Sequence, residues 1–211
     1  MSAAAINEES LAIFRTRQSA PSTEDLSLVR HVYADGGVIN YNPSSFGGTF
    51  AWIMLDHAGE SVLWAGSGVV TPQDANLNAI TNNYTELLAC VEVMERLPDG
   101  WNGTIYTDSQ VTMERLTDAS TPMNGISRGL KRRRLAVMEC LGTYDIRLLD
   151  GHPTQAQLAS GRGKRGQPCS IWNVLCHQEC QNQARLFRIA ANGAADRVQS
   201  KKPVKSIRKR D

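Results

Sequence analysis

Three acids in this sequence stand where their side chains can meet. Asp35 and Asp108 each fall at or just after the end of a short apolar run, and Glu86 sits one turn into the amphipathic stretch between them. Apolar surroundings disfavour charge, so an acid kept there needs a compensating partner. Three carboxylates brought together repel one another and raise one another's pKa unless a divalent cation fills the gap. Hard oxygen ligands of this kind select Mg2+ or Mn2+. His152, in the Gly151-His152-Pro153 turn, carries an imidazole, a side-chain type suited to proton transfer. Cys169, Cys176, His177 and Cys180 crowd one segment, but the usual four-ligand zinc spacing is missing. With five cysteines, an odd number, reduced thiols are the better reading.

The elements that must carry these groups follow from periodicity. His31 to Asp35 is a β-branched and aromatic run ended by Gly36-Gly37, which predicts a strand and a turn. Thr49 to Leu55 and Ser61 to Ala65 repeat the strand signature across a hairpin-length connection, so an antiparallel meander is expected. From Asn83 to Leu97, Leu87, Leu88, Val91, Met94 and Leu97 recur at helical spacing, with Thr81 or Asn82 as cap. Thr104 to Asp108 reads as a fourth strand, Gln110 to Leu116 and Leu130 to Leu141 as helices, and Tyr144 to Leu149 as a fifth strand. Strand, helix and strand in that order suggest a right-handed parallel crossover. Residues 153–170 are expected to form a Gly- and base-rich loop, and a last helix to run from about Ile171 to Ala191.

Asp35-Gly36-Gly37, Asn42-Pro43, Gly47-Gly48, Thr81-Asn82-Asn83-Tyr84-Thr85-Glu86-Leu87-Leu88-Ala89 and Tyr106-Thr107-Asp108-Ser109-Gln110 occur in this order and on these elements. The series resembles the type 1 ribonuclease H family over residues 31 to about 190. Gly151-His152 also looks like that family's Gly-His segment. The resemblance implies an α/β fold, a mixed five-stranded sheet with three antiparallel and two parallel strands flanked by helices. It implies cleavage of the RNA strand of RNA/DNA hybrids, leaving 5′-phosphate and 3′-hydroxyl ends, as in removal of RNA primers or R-loop RNA. Asp35, Glu86 and Asp108 would hold two Mg2+ ions about 3.5 to 4 Å apart, with Mn2+ as a substitute, and His152 would move protons. Asn42, Asn82, Asn83, Ser109 and Gln110 would contact the two strands, where short polar groups sense 2′-hydroxyls. The fourth metal position departs from the pattern. The family's N-x-x-[AC]-D segment matches Asn173-Val174-Leu175-Cys176-His177, which puts His177 where a carboxylate is usual; another register puts Gln181 there. A neutral imidazole adds no negative charge, so weaker Mg2+ binding or a preference for Mn2+ is expected.

At 211 residues and 41% hydrophobic, the chain can bury one core, which argues against wholesale disorder. No run reaches the ~18 to 20 apolar residues of a membrane span, and Glu8-Glu9 sits where a signal peptide needs base, so a cytoplasmic monomer is expected. Residues 1–150 hold 11 Lys/Arg against 18 Asp/Glu, and residues 151–211 hold 12 against 3. The basic end suits a polyanion. We divide the chain into a loosely ordered leader, 1–28, with one short helix near Leu11 to Arg15, a catalytic domain, 29–192, and a basic flexible tail, 193–211. Lys131, Arg132, Arg133 and Arg134, the loop cations Arg162, Lys164 and Arg165, and the tail are the candidate grips on phosphate. Two rivals are a hybrid- or duplex-binding protein that has lost turnover and a superfamily nuclease acting on DNA.

Overall fold

The computed structural model describes residues 10–164 and 166–200, with side chains to residue 192. Its centre is a five-stranded sheet in the order β3-β2-β1-β4-β5, with β1 His31–Val38, β2 Gly48–Leu55, β3 Val62–Val70, β4 Thr104–Thr107 and β5 Asp145–Leu148. The first three strands form the antiparallel meander, in which Asp35 lies opposite Ala51. β4 then pairs parallel to β1, and β5 parallel to β4, as the crossover argument required. The mixed sheet is therefore as expected.

Helices cover both faces. On one face α4 (Asn82–Met94) lies across β1, with α5 (Gln110–Thr117) and α6 (Arg128–Cys140) beside it, and Leu87, Val91, Ile105, Leu116 and Leu130 fill the contact. The other face is covered by α8 (Ile171–Ser200), where Ile53, Leu55, Trp172, Leu175 and Cys176 pack together. Thr81 caps α4, its hydroxyl accepting the Tyr84 N–H at 3.2 Å, so the cap fixes where the helix begins.

The sequence reading needs correction at four places. β1 does not end at Gly36 but continues to Val38. A Cβ on Gly36 would lie 2.3 Å from the Thr85 carbonyl carbon, so this glycine lets α4 close onto β1 instead of making a turn. The 153–170 loop contains α7 (Gln155–Ser160), nucleated by a capping box between Thr154 and Gln157. α8 runs through Gly193 to Ser200, so the first residues assigned to the tail are helical; the alanines on both sides of Gly193 offset its poor propensity. Residues 10–28 pack on the domain: α1 (Ile13–Thr16) buries Phe14 and α2 (Thr23–Ser27) carries its own capping box. The Ala65 N–H of β3 donates to the Arg17 carbonyl at 3.0 Å, and the Trp64 indole N–H donates to Gln18 O at 3.1 Å. The remaining leader residues 1–9, Arg165, and tail residues 201–211 lie outside the described residues.

Candidate active site

β1, α4 and the end of β4 deliver Asp35, Glu86 and Asp108 into one field. Asp35 is 3% exposed, while Glu86 and Asp108 are partly buried. Burial, with Asp35 and Glu86 adding like charge, lifts Asp108 to about 7. Burial also raises Glu86, Asp35 pushes it the same way, and the Ser109 side chain and the Arg115 guanidinium hold it down. Such elevation among separate chain segments is what a cation would relieve. The three acids predicted from sequence therefore converge electrostatically.

Each neighbour has a definite task. Asp35 Oδ1 accepts the Gly36 N–H at 2.7 Å, and Oδ2 faces His177 Nδ1 at 3.0 Å. That contact raises the His177 pKa, burial opposing it, and so favours the imidazolium. His177 Nε2 lies 3.0 Å from Gln181 Nε2, which leaves neither ring nitrogen uncommitted. Its place in α8 is set by Cys176 and Cys180, whose thiols donate to the Tyr33 and Asp35 carbonyls. The His152 ring stands edge-on to His177 with centroids 5.0 Å apart. The loop carrying His152 is tied to Asp150, whose carboxylate accepts the N–H groups of His152 and Lys164 and is held below its usual range by them. Gly151 must stay small, because a Cβ there would meet Asp108 Oδ2 at 2.1 Å.

Among the described residues, no three His, Cys, Asp or Glu side chains form a ready-made metal cluster. The donor chemistry nonetheless fits a divalent cation: three carboxylates, two with raised pKa, and both oxygens of Asp35 held by groups that an ion could replace.

The polar residues singled out from sequence divide into two groups. Asn42 Oδ1 accepts the Asn82 N–H at 3.3 Å, which ties the β1–β2 loop to the start of α4. Asn82 Oδ1 is buried without a partner, and Asn83 is exposed. Ser109 caps α5 through the Thr112 N–H, and Gln110 is exposed and bonded to Glu114. The basic cluster on α6 is partly used up. Arg133 pairs with Glu92 and Glu95 of α4, and Arg134, 2% exposed, donates to the carbonyls of Arg115, Asp118 and Ala119. Two groups escaped the sequence reading as site residues. Asn173, fully buried, turns its amide toward Asp108 and lowers its pKa slightly without a fully formed hydrogen bond, and Arg115 reaches Glu86 from α5. The Asn173-to-His177 segment was the available signal for the first; nothing local marks the second.

No family model matches the chain. Curated proteins named ribonuclease H from Anaeromyxobacter sp. (strain K) and from Anaeromyxobacter dehalogenans (strain 2CP-1) are each 33% identical over 92 residues, 44% of this chain and 48% of theirs. The chain thus spans about half the length of the curated relatives it matches. Among solved structures, the N-terminal RNase H domain of a Mycobacterium tuberculosis protein, solved as a maltose-binding-protein fusion, has TM-score 0.54 at 12% identity, covering 77% of this chain and 99% of that one. The fold is ribonuclease H-like. RNase H1 of Halobacterium salinarum NRC-1 is also similar, with TM-score 0.45 and 21% identity over 57% of this chain and 84% of that one. In this ribonuclease H-like fold, the acids whose charges act on Asp108 are those on β1 and α4. No described helix is long and apolar enough to cross a membrane.

Proposed function

We propose that this chain is a metal-dependent endonuclease that hydrolyses the RNA strand of RNA/DNA hybrids, leaving 5′-phosphate and 3′-hydroxyl ends. The observation that carries the reading is that Asp108 and Glu86 are both raised, by burial first and then by the charge of the buried Asp35, with Glu86 also acting on Asp108. Repulsion of that kind is unfavourable in an idle protein and useful in one that gathers cations. Asp35, Glu86 and Asp108 would hold two Mg2+ ions, which when bound neutralise the phosphate oxygens and make water a better nucleophile.

The chain's own residues do the rest. The His177 ring occupies Asp35 while the acids lack cations: its Nδ1–H donates to Asp35 Oδ2 while its Nε2 accepts from the Gln181 amide. To serve as the fourth ligand it would have to release Asp35 or Gln181. His152, exposed beside it, is the group free to carry a proton to or from the reacting oxygens. Asn83, exposed at the start of α4, offers its side-chain amide to a ribose 2′-hydroxyl.

The test is incubation of purified protein with labelled hybrid, duplex RNA and duplex DNA, in Mg2+ and then in Mn2+. Cleavage of the hybrid alone supports the reading, and cleavage of DNA replaces it with a DNA nuclease. The rival, binding without turnover, rests on the imidazole standing where a carboxylate is expected, and the names of the matched relatives do not favour it. Retained binding with no cleavage in either metal would establish it. Asp35→Asn should abolish turnover and leave hybrid affinity within about twofold, since the change leaves the groove's shape intact.

A further inference from the structure

A groove of about 440 Å³ leads away from the carboxylates, walled by Gly36, Gly37, Asn40, Asn82, His177 and Arg188. Its long wall is one face of α8. His177, Gln181, Ala184 and Arg188 follow one another at intervals of four, three and four residues, which is one stripe of an α-helix. At 1.5 Å per residue, Arg188 lies about 16 Å along the helix from His177. The near end of the groove is His177, which touches Asp35, and the far end carries a cation.

Arg188 differs from the arginines of α6, on the other face of the sheet. Arg133 is neutralised by two glutamates and Arg134 is buried on backbone carbonyls. Among the described residues Arg188 makes no ion pair, and its guanidinium has only a long contact, Nη1 to Asn40 Oδ1 at 3.4 Å. Asn40 itself is held in a left-handed conformation, φ 73°, at the turn out of β1, so the contact joins the outer end of α8 to a shaped loop. An exposed, unpaired guanidinium lining a groove whose other end is His177, the hydrogen-bond partner of Asp35, is placed to receive a phosphodiester, which it can hold through two parallel N–H groups.

We propose that Arg188 binds a backbone phosphate of the substrate strand at the far end of this groove, a few nucleotides from the carboxylates. The proposal rests on the nuclease reading for the identity of that strand, and on the groove alone for the seat itself. It makes α8 more than a cover for the sheet: the helix carries the hydrogen-bond partner of Asp35 at one end of a stripe and a substrate grip at the other.

Equilibrium binding of a fluorescent RNA/DNA hybrid to Asp35→Asn protein, across a range of KCl concentrations, tests it together with steady-state cleavage by the otherwise unaltered chain. Arg188→Gln should weaken binding about fivefold to tenfold and reduce the slope of log K against log salt by roughly one, the signature of one lost phosphate contact. KM should rise with kcat unchanged, and Arg188→Lys should restore part of the affinity. Arg185→Gln, which removes an exposed cation three residues earlier and outside the groove, should leave the slope alone. An unchanged slope in Arg188→Gln, a loss confined to kcat, or an equal loss in Arg185→Gln overturns the proposal. Hybrid cleavage with Arg188-independent binding refutes the seat and spares the nuclease; Arg188-dependent binding without cleavage in either metal does the reverse. Absence of any binding refutes both.

Discussion

Replacing Asp108 with Asn should make the metal-free protein more stable at neutral pH while removing its activity. Burial and the charges of Asp35 and Glu86 lift the Asp108 carboxyl from 3.8 to about 7. A raised carboxyl means that the folded state binds more protons than the unfolded state between about pH 4 and pH 7, so stability falls as pH rises through that window. The gap is about three pH units, and at ~1.4 kcal/mol per unit the ceiling is about 4 kcal/mol above neutrality. Asn keeps the shape and the approach of Asn173 but carries no charge, so a gain of about 2 to 4 kcal/mol is expected near pH 8 in EDTA. For a chain of this size that is a rise in Tm on the order of 5 to 15 °C. The assay is thermal unfolding of both proteins from about pH 4 to pH 8 in EDTA, repeated at saturating Mg2+. The difference should vanish at the acid end, grow with pH, and narrow when Mg2+ binds the wild type. A variant no more stable than wild type at the alkaline end, or a difference independent of pH, would refute the argument that these acids repel one another in the fold.

Three further outcomes can be checked directly. His177→Asp supplies a carboxylate beside Asp35 and should lower the Mg2+ concentration for half-maximal cleavage; an unchanged or higher requirement means that position 177 does not influence the metals. Arg134→Met should cost about 2 to 4 kcal/mol in denaturant unfolding, because three carbonyls lose a buried donor, while Arg132→Met, at an exposed position, should fall within about 0.5 kcal/mol of wild type. Phe14→Ala should cost about 3 kcal/mol, since this ring is 1% exposed in the core under α8; a shift below about 0.5 kcal/mol would detach the leader from the domain.

The strands and α4 were legible because their signals are local: alternation, helical spacing and a Thr81 cap. Glu86 and Asp108 could be singled out because they sit near a helix start and just past a strand end, from which side chains converge across a sheet; Asp35 was picked for the apolar run before it, although it lies inside β1. What stayed hidden depends on partners distant in the chain. The four consecutive cations of α6 read as a nucleic-acid patch, yet Arg133 faces glutamates on α4 and Arg134 is drawn under the end of α5, and neither neighbour is evident from sequence. Gly36 read as a turn because nothing local reveals that a helix backbone passes against it. The hydrogen bond between His177 and Asp35 spans 142 residues of sequence. α7 is a different case: Thr154 and Gln157 stood in plain sight as a capping box and were overlooked among glycines and charges.

The docking of Arg17 and Gln18 along β3 bears on how the protein behaves in concentrated solution. β3 is the outermost strand of the antiparallel side, and a bare strand margin invites pairing with another molecule. The Arg17 carbonyl takes the Ala65 amide, and Gln18 engages the neighbouring indole, so the segment shields that margin. A version trimmed to begin at residue 20 would keep Asp35, Glu86, Asp108 and every motif, yet it should self-associate, and loss of soluble protein would then pass for loss of the proposed cleavage.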